Sequence, residues 1–270
     1  MSVDGDRVTH GRLRAANGSY DAALAALRHL REAGVHTGTN TQINRLTLPA
    51  ISGMVDTLGD LAIRSWQLQL TVAMGRAADE PEVLLQPYDI LEVQPMLAAL
   101  VPAAKARGID LVAGNNIGYF GPHEAKLRGR TRAGHANGCG AGQVTLGIEA
   151  DGTIKGCPSL ATSGWAGGNI RETRLADLWE RSPALRYTRD RTAKDLWGFC
   201  ATCYYADVCR AGCTWTGDSL FGRPGNNPYC HHRVLELQKD GKRERLVRVE
   251  EAPGQPFDHG RFALIVEPTG

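Results

Sequence analysis

The sequence predicts an α/β chain in two parts, a parallel-sheet portion over residues 1–120 and a cysteine-rich portion over 138–235. Three observations predict it. SWQLQLTV alternates strictly, with Trp66, Leu68, Leu70 and Val72 on one face and Gln67, Gln69 and Thr71 on the other, the period of a strand. Ile51, Met54, Val55 and Leu58 recur at helical spacing, so helices alternate with strands. All seven cysteines lie at or beyond Cys139.

The elements follow in order. Met1 to Asp4 reads as a short strand ending at Gly5. Ser19 caps a helix through about Ala33, with Leu24, Leu27 and Leu30 on one face and Gly34 at its stop. HTGTNTQI, from His36, reads as a strand. Thr47 caps the next helix, with Pro49 in its first turn, and the alternating strand from Ser65 follows. A helical region spans about Tyr88 to Arg107, which Pro95 and Pro102 should kink or divide before Gly108 ends it. Ile109 to Ala113 is another strand. Such repeats imply parallel strands with right-handed crossovers, and ligands at the carboxyl ends, which carry Asp4-Gly5, Asn40 to Asn44, Thr71 to Arg76 and Gly114 to Asn116. All of these are also ordinary turn residues. The charged, aperiodic stretch 121–137 reads as a linker. Residues 236–270 read as a tail, a charged helix end followed by the strand RFALIV.

Composition narrows the function. The chain has 270 residues, 42% hydrophobic and 22% charged, which is globular. A net charge of +2 gives no electrostatic case for nucleic acid. No apolar run approaches the roughly 20 residues of a membrane span. The start, MSVDGDRVTH, has no apolar signal region, so a cytoplasmic location is expected. An odd number of cysteines in a reducing compartment argues for metal ligation rather than disulfides.

Four of the cysteines, Cys200, Cys203, Cys209 and Cys213, follow C-x2-C-x5-C-x3-C spacing. The C-x2-C bite closes a short loop whose backbone N–H groups also point at sulfur. Cys139 and Cys157 precede this cluster and Cys230 follows it. Spacing alone leaves zinc and iron–sulfur clusters equally open, since both take sets of four thiolates.

The text around these cysteines, GCGAGQVTLGIEADGTIKGCPSL, GGNIRETRLADLW and PYCHHR, resembles the SPASM domain found C-terminal to radical S-adenosylmethionine barrels. The likeness covers about Gly138 to Arg233. It implies two auxiliary 4Fe–4S clusters, one held by Cys200, Cys203, Cys209 and Cys230, the other by Cys139, Cys157 and Cys213 with one iron lacking a cysteine. His135, His231 and His232 lie near in sequence but are read as surface histidines rather than ligands. The clusters would serve electron transfer or substrate binding.

The N-terminal portion resembles the C-terminal half of a partial (β/α)6 radical S-adenosylmethionine barrel. Ser2-Val3-Asp4-Gly5 is similar to its strand-four SxDG element, SYDAALAALRHLREAGVHTGTNTQINR to the following helix and strand, and WQLQLTVAMGRA to strand six. The resemblance makes Ser2, Gln69 and Thr71 candidate contacts to S-adenosylmethionine. The family's C-x3-C-x2-C cluster loop, which precedes these elements, has no counterpart, so the chain reads as a fragment, inactive unless an N-terminal barrel half completes it. The expected function is an oxidoreductase-type maturase acting by radical chemistry on a ribosomal peptide or protein substrate, with an electron donor such as flavodoxin or ferredoxin. Pro158 stands where sulfatase-maturing relatives carry an aspartate, which weakens that substrate assignment. A non-catalytic iron–sulfur module for electron transfer or peptide docking, and a zinc-stapled binding protein, are the competing readings.

Overall fold

The structure, a computed structural model, describes residues 1–129, 135, 138–254 and 258–269. Two helices open the chain, α1 (Arg7–Arg14) and α2 (Ser19–Glu32). Then β1 (Gly38–Ile43), α3 (Met54–Asp60), β2 (Ser65–Leu70), the single turn α4 (Arg76–Asp79), α5 (Ile90–Ala106) and β3 (Asp110–Ala113) alternate as the periodicities predict. The three strands are parallel in the order β1-β2-β3, with Asn40 beside Gln67 and Gln67 beside Val112. Met1 to Asp4, expected as a strand, makes a single parallel bridge at Ser2 to Asn40, and the Asp4 carboxylate takes over the next position by accepting the Gln42 N–H at 2.8 Å.

One face of this sheet is dry. Thr39, Thr41, Ile43, Trp66, Leu68 and Leu70 are buried with α2, α3 and α5, and the Ile51, Met54, Val55, Leu58 stripe packs there as its spacing requires. The opposite face carries Asn40, Gln42, Gln67, Gln69 and Val112 and stays partly or fully exposed. The two prolines do not divide α5. Both lie seven residues apart on its exposed side, where water can take up the carbonyls they leave without a partner.

Two expectations are corrected beyond β3. The stretch 121–137 is not a bare linker where it is described. It contains α6 (Glu124–Arg128), whose buried Arg128 pairs with Glu124 at 3.1 Å and donates to the carbonyls of Gly114, Ile117 and Gly118. Residues 130–134, 136 and 137 of that stretch lie outside the described residues. Nor is 236–270 a tail. After α12 (His231–Lys239), β7 (Lys242–Glu250) and β8 (Arg261–Pro268) form an antiparallel hairpin that contributes Leu246 and Phe262 to the main core.

Between these, the cysteine-rich portion is built of small pieces. A three-stranded sheet, β4 (Gly147–Ile148), β5 (Thr153–Lys155) and β6 (Ala166–Asn169), is followed by α8 (Leu175–Arg181) and α9 (Pro183–Asp190), with the short turn α7 (Thr162–Trp165) before β6. Then come α10 (Ala206–Cys209) and α11 (Thr214–Phe221).

Candidate metal centre

The seven cysteines divide between two cavities. Cys200, Cys203, Cys209 and Cys230 line one, and Cys139, Cys157 and Cys213 line the other. Local structure explains how residues so far apart in sequence converge. Cys139 opens a tight loop in which Gly142 sits at φ +64° with its N–H shared between the carbonyls of Thr145 and Gly156. A side chain there would strike the Leu185 carbonyl at 1.9 Å, so only glycine lets this loop lie against α9 and the Cys157 turn. Lys155 is buried and clamps the Cys157 turn, its ammonium donating to the Leu160 carbonyl at 2.6 Å and pairing with Glu149. Cys213 immediately precedes α11, while Cys200 lies in a 3-10 turn and Cys209 ends α10.

Main-chain amides face the sulfurs. The Tyr205 N–H donates to the Cys203 sulfur at 3.4 Å. Burial pushes the Cys213 thiol up to about 11 and the Cys230 thiol up to about 12, while the N–H groups of Thr216 and Arg233 oppose the shift. Cys200 and Cys209 are raised for the same reason, with Asn227 and Gly212 as the opposing amides. Crowded thiols also raise one another: Cys209 is raised by Cys230, Cys200 and Cys203, and Cys213 by Cys139 and Cys157. A cation bound within either set would favour thiolates instead.

Among the described residues no three His, Cys, Asp or Glu side chains gather tightly enough to hold one metal ion. The thiols stand on the walls of cavities instead. A single zinc at about 2.3 Å from each sulfur needs its thiolates nearly in contact, whereas an iron–sulfur cluster occupies a cavity with thiolates on its rim. Donor type and amide placement therefore suit clusters at both sites, while open space for one is present at the three-thiol site. The two spaces differ: the three-thiol cavity measures about 350 Å³, the four-thiol one about 20 Å³. Phe120 stacks on Tyr205 at 4.2 Å and Tyr205 meets His232 at 5.0 Å, and these rings close the smaller space down.

The wall of the larger cavity opposite the thiols comes from the sheet and the turn after β3. It consists of Gln67, Gln69, Asn115 and Asn116, and no charged side chain lines this cavity among the described residues. Asn116 spends its amide on both backbone groups of Leu70, at 3.1 and 2.8 Å. Thr214, 1% exposed, lines the same cavity with a hydroxyl that has no hydrogen-bond partner. A separate cavity of about 230 Å³ lies at the strand ends, lined by Asp4, Gln42, Asn44, Thr71, Arg12, Arg14 and Arg76. Asp4 there is held by Arg14 at 2.5 Å.

The three candidate cofactor contacts are not brought together. Gln69 faces the three-thiol cavity, Thr71 faces the cavity at the strand ends, and Ser2 is bridged to Asn40 outside both. The histidines also differ from expectation. His231 is not on the surface: it is 3% exposed, stacked 5.8 Å from His123, and burial lowers its pKa to about 4. His232 lines the four-thiol cavity, and His135 lies 5.5 Å from the Phe120 ring. None of the three lines the three-thiol cavity among the described residues. Sequence reasoning missed Tyr119, Lys155 and Thr214. Thr214 and Tyr119 had a usable signal, since one adjoins a cysteine and the other ends the turn after a strand.

The SPASM family, an iron–sulfur cluster-binding domain, matches residues 139–204. Among curated relatives, an AdoMet-dependent heme synthase of Oleidesulfovibrio alaskensis is 27% identical over 86% of this chain and 61% of its own length. A mycofactocin maturase, MftC, of Mycobacterium ulcerans is 26% identical over 97% of this chain and 66% of its own. The chain thus spans about two thirds of the length of these relatives. Among solved structures, anSMEcpe with bound AdoMet superposes with a TM-score of 0.61, covering 88% of this chain and 65% of that one. Streptococcus suis SuiB bound to the precursor peptide SuiA gives 0.57, covering 86% and 51%. At 15% and 14% identity, these two likenesses concern the fold.

Proposed function

From the SPASM match over residues 139–204 and the relatives at 26–27% identity, we propose that the chain is a radical SAM/SPASM protein, the cluster-bearing part of an enzyme that modifies a peptide or protein by radical chemistry. One observation carries this reading: seven thiols divide four and three between two cavities, and the three-thiol cavity opens onto the polar face of a parallel sheet. Cys200, Cys203, Cys209 and Cys230 would hold one auxiliary 4Fe–4S cluster, and Cys139, Cys157 and Cys213 the other. When bound, such clusters exchange single electrons at potentials set by hydrogen bonds to sulfur and by burial. Residues 1–120 would act as part of a barrel, with 138–235 as the cluster domain. Gln69 and Thr71, and more remotely Ser2, would contact S-adenosylmethionine. No C-x3-C-x2-C loop occurs in the 270 residues, so cleavage of that cofactor is not assigned to them. A one-electron donor of flavodoxin or ferredoxin type would supply the clusters.

Relatives named for heme synthesis favour a second reading, a tetrapyrrole substrate. The chemistry of the cavity favours the first. Gln67, Gln69 and Asn115 present neutral amides, which donate to and accept from a peptide backbone. A tetrapyrrole bearing several carboxylates calls for cations; the larger cavity has none among its described lining residues, and the arginines of the strand-end cavity are already engaged, Arg14 by Asp4, Arg12 by Glu80 and Arg76 by the Leu13 carbonyl.

Metal analysis of anaerobically purified protein tests the proposal. About eight irons per chain are expected, falling by about half in Cys203→Ala and, separately, in Cys213→Ala. One or two zincs without iron would refute it, as would full iron content in either variant.

A further inference from the structure

Tyr119 belongs to neither cysteine set, yet it touches both. It is 1% exposed and ends the turn that follows β3. Its ring forms part of the wall of the four-thiol cavity. Its carbonyl accepts from the His232 N–H at 3.0 Å and from the Cys230 thiol at 3.6 Å, both on that side. Its hydroxyl points the other way, accepting the Cys213 N–H at 3.1 Å and donating to the Asn115 carbonyl. Cys213 and Asn115 both line the three-thiol cavity.

The ring is held from two further directions. Gly212, at φ +58°, lies against it so closely that a Cβ would meet ring carbons at 2.4 Å. Arg128 stands 5.5 Å over the ring and is itself tied to the carbonyls of Gly114, Ile117 and Gly118. Phenylalanine would fill the same volume. The hydroxyl therefore adds little to packing; what it supplies is a partner for one amide and one carbonyl, both half-buried, at the edge of the three-thiol site.

We propose that Tyr119 is a positioning residue whose hydroxyl holds the Cys213 amide away from sulfur, fixing the hydrogen bonding of the three-thiol site against the body of the four-thiol site. An N–H turned toward a cluster sulfur stabilises the electron-rich reduced state and raises the potential. With the Cys213 amide engaged by the hydroxyl, that donor is withheld, and the three-thiol site stays at a lower potential than it would otherwise have. The four-thiol site accepts no hydrogen bond from the hydroxyl and gives it none; it meets the ring and the carbonyl, with Cys209 within electrostatic reach of the phenol, so it should sense the hydroxyl less. This inference rests on the cluster assignment above.

Anaerobic redox titration of the iron-loaded full chain, followed by EPR, tests it, with Cys203→Ala and Cys213→Ala identifying which signal belongs to which site. Tyr119→Phe is expected to keep the wild-type iron content, to raise the midpoint potential of the signal lost in Cys213→Ala, and to move the other signal less. Two unmoved signals overturn the proposal, and so does a shift confined to the four-thiol signal. Should Tyr119→Phe lose iron, 3-fluorotyrosine at position 119 keeps both hydrogen bonds while weakening the acceptor. A smaller rise in the same potential is then expected, and no rise overturns the proposal. A wild-type chain without iron would overturn the cluster assignment and this proposal together; a wild-type chain with both signals and an unresponsive variant overturns this proposal alone.

Discussion

His10 links proton uptake to folding through one hydrogen bond. The Asp4 main-chain N–H donates to its Nδ1 at 3.0 Å, so the folded ring must be neutral with its hydrogen on Nε2. Burial lowers its pKa, the Asp4 charge opposes this, and Arg14 reinforces it. An unfolded chain takes up a proton at histidine below about pH 6.5, while the folded chain resists doing so. The unfolded state therefore binds more protons in that window, and stability falls as pH drops from about 6.5 toward the lower folded value. His231 and His232, also lowered chiefly by burial, act in the same direction. In His10→Asn a carboxamide oxygen can accept the Asp4 N–H without titrating. Urea unfolding of the iron-loaded chain at stepped pH should show a shallower loss of stability in the variant, with the remainder due to the other two histidines. An unchanged slope would refute the role given to this contact.

At the scale of elements, the strands with clean alternation were legible and those with mixed charge were not. Trp66, Leu68 and Leu70 announce β2 because one face is dry and the other wet. KRERLVRVE hides β7 because Arg243 and Arg245 face Glu267 across the hairpin, so charge occupies a face that would otherwise be read as helical or loop-like. What holds the hairpin to the body is also invisible locally. Gln86 accepts the Leu246 N–H at 2.7 Å and donates to its carbonyl at 3.3 Å, standing in for a strand neighbour 160 residues away in sequence. Arg248 adds bonds to the carbonyls of Ala78 and Asp79. Gln86→Ala removes a paired donor and acceptor from a half-buried strand edge, at a cost of about 1–3 kcal/mol. Hydrogen exchange should quicken across 242–250 and 261–268 while 65–70 keeps its protection; equal quickening in 65–70 would mean that the side chain supports the whole core rather than the hairpin.

Across the whole molecule, apolar burial is divided unequally, and this decides what metal contributes. The main core runs from Val3 to Leu127 and adds Leu220, Tyr229, Val234, Leu246 and Phe262 from the far end of the chain; it contains no cysteine. Residues 139–213 join three small clusters instead, Cys209 with Tyr119, Ile154 with Leu178 and Leu185, and Leu196 with Cys200 and Ala211. Clusters of two or three buried residues do little to offset the entropy of ordering so many loops, and the proposed cluster ligation would supply the difference. This also explains how far the site could be read from sequence. Cysteine number and spacing are local and visible. The division into four and three came from family likeness, because loops without periodicity give no register, and the Tyr119–Cys213 contact joins residues 94 positions apart. Removing iron with a chelator under anaerobic conditions should therefore unfold the molecule in parts. Hydrogen exchange in 139–213 should rise toward that of an unstructured chain, whereas 38–43, 65–70 and 110–113 should stay protected on a core that needs no metal. If the parallel sheet loses protection in step with the cysteine-rich portion, the two halves fold as one unit and the small clusters are coupled to the main core more tightly than their burial implies.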